Sequence, residues 1–173
     1  MRTSIFKRRL MTLVLPACLL AGAGSVAAQG SQSTFVPDAN IEAAAQHYAA
    51  DAVRYALIQY SVTLDGSEKS IADVETVLGK LHDAYASQDP KPADTKVLQY
   101  AQVFGSYIGE VYRRNHGGQW GLVTLGDQRF PGMQSEGGTR FSPWAKTYNR
   151  ITQGSEDNIV SYYDVLLTMP GNK

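Results

Sequence analysis

Residues 104–120 read FGSYIGEVYRRNHGGQW, and the predicted architecture is built around them. Gly105 and Gly109 stand one helical turn apart on the same face of an otherwise helix-forming run. Each glycine costs a helix interior about 1 kcal/mol relative to alanine, so two on one face imply that something approaches the backbone closely. Either another helix or a strand pair packs into that groove, or a ligand or partner side chain fills it. Glu110 precedes Arg113 and Arg114 at the spacing of an intrahelical ion pair. The two arginines and His116 also lie in the last turn, where positive charge suits the helix dipole. Gly117 and Gly118 then stop the helix, since glycine takes the left-handed conformation at a helix end without steric cost. A second reading treats Glu110, Arg113, Arg114, His116 and Trp120 as a polar patch that holds a carboxylate or a partner's acidic side chain. Arg114 and Trp120 are its expected contact residues, and Glu110 is expected to serve the fold.

Upstream, a helical period starts after Asp38, with Ile41, Ala44, Ala45, Tyr48, Ala52, Tyr55, Ile58 and Val62 recurring three or four apart. Asp38 or Asn40 caps this helix and Gly66 follows its end. Ser67 or Ser70 opens a second helix, whose face carries Ile71, Val74, Val77, Leu78, Leu81 and Tyr85. The proline-bearing connector SQDPKPAD separates it from the central helix, which Asp94 caps. Downstream, WGLVTL and RFPGMQ flank Gly126-Asp127 and predict a hairpin, with Pro131 confining the second strand to an edge. Ser142-Pro143 starts a short helix that ends at Gly154. Ser155-Glu156-Asp157 starts another that Pro170 ends. The prediction is a mostly helical α+β domain with a short antiparallel hairpin or small sheet. Gly105, Gly109, Gly117, Gly118 and Gly154 have structural roles in it.

The N-terminus reads differently. Arg2, Lys7, Arg8 and Arg9 precede the apolar run MTLVLPACLLAGAG and the small residues SVAAQG, the three-part grammar of a secretory signal peptide. The run is shorter than the ~20 residues of a spanning helix. Residues 1–27 are therefore expected to be a signal peptide, cut after Ala27 or Ala28, with residues 28–37 a flexible leader and 38–173 the domain. Leu15-Pro16-Ala17-Cys18 offers the alternative of a lipoprotein modified at Cys18. Processing leaves no cysteine, so the core alone must hold the domain in an oxidising compartment. The whole chain is formally neutral, with 16 basic and 16 acidic residues. Loss of the four leading basic residues leaves 12 against 16, a net charge of −4. That balance argues against nucleic acid as a partner.

Motifs for catalysis are missing. His47, His82 and His116 are scattered without a zinc-binding pair, and neither a GxSxG elbow nor an SxxK motif occurs. Glu110 paired with a second carboxylate has the composition of a glycosidase site, but the sequence nominates no second acid. No cofactor or metal is implied.

GSYIGEVYRRNHGGQW and the later PWAKTYNRITQGSEDNIVSYYDVLL together resemble a group of uncharacterised small bacterial domains. These share a Gly-x-x-x-Gly-Glu helix, a Gly-Gly-x-Trp entry into strands, a lysine-bearing helix and a Gly-x-Glu-Asp helix start. The corresponding residues here are Gly105, Gly109, Glu110, Gly117, Gly118, Trp120, Lys146, Arg150, Gly154, Glu156 and Asp157. Some such domains are similar to immunity proteins that neutralise toxins delivered by neighbouring bacteria. The group has no established catalytic residues to carry over, and the resemblance supports the fold more than any activity. Export, small size, acidic mature charge and the missing catalytic motifs agree with the expectation of a periplasmic, non-enzymatic binding protein, an immunity protein with a toxin or effector as its partner. The alternative is an envelope hydrolase or small-molecule-binding protein with a pocket near Glu110, Arg114 and Trp120.

Overall fold

The central stretch forms one helix wrapped on every side. In the computed structural model, which describes residues 33–169, α3 spans Asp94–His116, and every residue from Phe104 to Tyr112 is buried. A helix buried all round is a core element, not a surface one. Three of its neighbours position the site. The helix α1 (Ala39–Tyr60) lies along one side and α4 (Pro143–Gln153) along another. The third is the hairpin of β2 (Gln119–Leu125) and β3 (Gln128–Gln134), joined at Gly126-Asp127 as expected.

Both glycines of the motif are close-approach sites, each for a different neighbour. A Cβ on Gly105 would lie 2.8 Å from the Pro143 carbonyl oxygen and 2.9 Å from the Trp144 Cα, so the start of α4 rests on the α3 backbone. A Cβ on Gly109 would run into the Trp120 ring and lie 2.9 Å from the Met133 sulfur, so the hairpin rests there. Gly117 and Gly118 carry positive φ angles of 74° and 99° and release the chain into β2.

On α1 the buried face is an alanine seam, Ala45, Ala49, Ala52 and Ala56, which brings the helix close to α3. The expected face is corrected at one end: Ile58 points outward and is exposed, because the seam is rotated away from it. Asp38 caps α1 as predicted, its Oδ1 accepting from the amides of Asn40 and Ile41. The helix ends at Ser61, which takes φ 56° itself, and Gly66 lies in the loop beyond.

Residues 34–37, expected within the flexible leader, form strand β1 (Thr34–Pro37), paired antiparallel to β2. Alternation was too short to reveal it; the strand exists because β2 offers an open edge. The sheet order is β1-β2-β3-β4, with β4 at Arg140–Phe141. Pro131 is therefore not on an edge strand. It is tolerated because β4 pairs only with Met133 and Gln134, leaving the ladder open beside the proline. The signal-peptide residues, Cys18 and Pro170 lie outside the described residues.

The remaining helices complete a mostly helical α+β fold. α2 (Ser70–Ala86) packs its predicted apolar face inward, and α5 (Ile159–Thr168) closes the chain after a 3-10 turn at Ser155–Asp157. Ser70 opens α2 as expected, its hydroxyl bonded to the Ser67 carbonyl and to Tyr107. Two helix starts differ: Asp94 is the first residue of α3 and not its cap, and Asn158 caps α5 in place of Ser155. Ser142 caps α4 as read from the sequence. No helix among the described residues is long and apolar enough to cross a membrane.

Candidate functional site

The five polar-patch residues do not act as one patch. Glu110 is buried and its carboxylate is fully engaged: Oε1 accepts from Trp120 Nε1 at 2.9 Å and from Arg113 Nε at 2.9 Å, and Oε2 from Arg113 Nη2 at 2.9 Å. Because Glu110 sits on α3 and Trp120 on β2, this knot ties the helix to the sheet. Charge-assisted bonds of this kind hold the Arg113 guanidinium above its usual pKa, with Glu110 the largest cause and Glu42, 3.7 Å from Nη1, adding to it.

Trp120, expected as a contact residue, is 1% exposed and packs against Trp144 with ring centroids 5.9 Å apart. A side chain with no surface cannot touch a partner while the domain stays folded, so its contact role is withdrawn. Glu110 takes the structural role expected of it. His116 is also engaged: its Nε2–H donates to Glu68 Oε1 at 2.6 Å, and Tyr163 donates to the same oxygen at 3.0 Å. These bonds, His116 first, hold the Glu68 carboxyl below the ordinary glutamate range despite partial desolvation.

Arg114 differs from its neighbours. It is exposed and makes no hydrogen bond or ion pair among the described residues. It borders a cleft of about 500 Å³ between α1, α3 and the loop that joins α1 to α2. That volume falls in the range of small-molecule sites, roughly 300–1,000 Å³. Glu110 reaches one wall and Arg113 another, while Trp120 does not line it. Asp65, Gly66, Tyr107 and Gln46 line the cleft and were not nominated from sequence. Tyr107 carried a readable signal, since Tyr107, Glu110, Val111 and Arg114 recur at i, i+3, i+4 and i+7 on one helix face. Asp65 and Gly66 carried none, because they reach the cleft through a loop.

The later residues of the resemblance also serve the fold. Lys146 Nζ bonds Asp157 Oδ1 at 2.7 Å, and Arg150 Nε bonds Glu75 Oε1 at 2.8 Å. Gly154, at φ 96°, ends α4 where a Cβ would meet the His82 ring, while Glu156 is exposed. No group of three His, Cys, Asp or Glu side chains among the described residues is placed to hold a metal ion.

No protein-family model and no curated protein matches the chain. Its fold is similar to that of a solved structure from Bacteroides thetaiotaomicron VPI-5482, with a TM-score of 0.57 and 14% sequence identity. The match covers 79% of this chain and 47% of that one, so the chain spans about half the length of the Bacteroides structure. At that identity the likeness concerns the fold alone.

Proposed function

We propose that this chain is an exported, non-enzymatic binding protein of the bacterial periplasm, and within that class an immunity protein that occludes an envelope-targeting toxin or effector. One observation carries the reading. Glu110, Arg113, His116 and Trp120 are consumed within the fold, while Arg114 is charged, exposed and without an ion pair among the described residues, beside a cleft. A buried carboxylate whose two oxygens already accept three internal hydrogen bonds is occupied by the fold, which weighs against Glu110 as a hydrolase residue. The basic and apolar grammar of residues 1–27 supports export.

The small-molecule-binding alternative draws its support from the cleft volume and from Glu110 and Arg114 at its walls, without Trp120. The test is protection. An envelope-targeting effector encoded beside the gene is directed to the periplasm with and without this protein, and growth is followed. Restored growth with the wild type is the expected result. Unrelieved toxicity, together with release of soluble fragments from purified cell-wall or lipid substrate by the protein, would replace the reading with the hydrolase.

A further inference from the structure

The cleft between α1 and α3 holds two opposite charges that do not pair with each other. The charge of Arg113 is spent on Glu110 and, more distantly, on Glu42. What remains is the Arg114 guanidinium and the Asp65 carboxylate, both on the cleft lining, with no ion pair between them. A lone anion would meet Asp65 and a lone cation would meet Arg114, so the site favours a ligand that carries both signs.

The Asp65 carboxylate is held in place, and Arg114 lies beside the same loop. Gly66, at φ 81°, leaves room for the Arg114 guanidinium, which packs so closely that a Cβ there would lie 2.9 Å from Nη1. The Gly66 amide donates to the Tyr107 hydroxyl at 2.8 Å, and Tyr107 bonds Ser70 at 2.6 Å, which pins the loop to α3. Asp65 Oδ1 accepts from the Ser67 amide and hydroxyl at 2.9 and 2.6 Å, which fixes the carboxylate. A carboxylate fixed in this way loses little conformational entropy on binding. Ala49, Ala50, Val53, Leu64 and Val111 form the apolar part of the wall.

We propose that this cleft binds a small zwitterion: a carboxylate on Arg114, an ammonium on Asp65 and a compact apolar body against the alanines and valines. A free α-amino acid and the two ends of a short peptide share that chemistry. The proposal rests on the reading of the chain as a binding protein and names what its cleft takes.

Three probes of nearly equal shape test it on the 15N-labelled protein: leucine with both charges, N-acetylleucine with the carboxylate alone, and leucinamide with the ammonium alone. Leucine is expected to shift the Ala50, Gly66 and Val111 amides saturably, and each singly charged probe to bind at least about tenfold more weakly, the scale of one charge-assisted hydrogen bond. Arg114→Met and Asp65→Asn should each weaken leucine by at least about tenfold with unchanged melting, since Arg114 makes no internal bond and asparagine still accepts from Ser67. Dileucine binding tighter than leucine assigns the peptide source, and the reverse assigns the free amino acid. Equal binding of all three probes, no saturable shift, or full leucine affinity in Arg114→Met overturns the proposal. Protection in the growth assay without leucine binding removes this inference alone. Leucine binding without protection removes the immunity reading alone.

Discussion

Two buried arginine–glutamate knots hold this fold, and they are built in opposite senses. In the first, Glu110 is the deep partner and Arg113 the shallow one, with side chains 5% and 29% exposed. In the second, Arg150 is the deep partner at 6% and Glu75 the shallower at 16%, and Glu75 Oε2 also accepts the Ile159 amide at 2.9 Å. The first joins α3 to the sheet through Trp120, and the second joins α2, α4 and the start of α5. An ion pair in a protein interior owes its worth less to attraction than to the cost of stranding whichever charge lies deeper. The contrast therefore predicts which partner each knot can least afford to lose.

The largest effects should cross over between the two. Arg113→Met strands the Glu110 carboxylate with Trp120 as its remaining donor, and Glu75→Gln strands the Arg150 guanidinium. Each is expected to cost about 3–5 kcal/mol in urea denaturation. The reciprocal changes, Glu110→Gln and Arg150→Met, leave the shallower charge near water and should cost about 1–2 kcal/mol. The reverse order at either knot would break the comparison.

A glycine lies beside each knot, and these give the next largest effect. At Gly109 a Cβ meets the rigid Trp120 ring, so Gly109→Ala should lose more through overpacking, about 1–3 kcal/mol, than the ~1 kcal/mol it gains in helix propensity. At Gly79 a Cβ would lie 3.3 Å from Arg150 Nη2, the far end of a long side chain that can yield by a few tenths of an ångström. Gly79→Ala should therefore keep most of the propensity gain and raise the denaturation midpoint. Equal destabilisation by the two alanines would mean that Arg150 is held as rigidly as the indole.

The smallest effect comes from the pair outside both knots. Glu68 is held below its ordinary pKa chiefly by the His116 hydrogen bond. A depressed folded-state pKa gives stability that is present above the unfolded value, about 4.3, and is lost as pH falls through the folded one. Glu68 is 42% exposed, so solvent screening limits the contribution to at most about 1 kcal/mol. Melting temperatures of wild type and Glu68→Gln should differ at neutral pH and converge as pH falls from the unfolded value through the lower folded one. A gap unchanged down to pH 3 would remove Glu68 as the source of acid sensitivity.

Features that depend on neighbours along the chain were legible in the sequence. The period of α3, its stop at Gly117-Gly118, the Asp38 and Ser142 caps, the Gly126-Asp127 turn and the Glu110–Arg113 spacing all lie within a few residues of their causes. Gly105 and Gly109 announced a close approach, but only the fold decided that one receives α4 and the other Trp120. Tertiary structure alone made Thr34–Pro37 a strand, turned Trp120 from a surface candidate into core, and joined Arg150 to Glu75 across 75 positions. It also brought Asp65 to the same cleft as Arg114. Local patterns constrain backbone dihedrals and helix faces directly. Burial and charge pairing are settled only when distant segments exclude water from the same volume, and no window along the chain contains both sides of that contact.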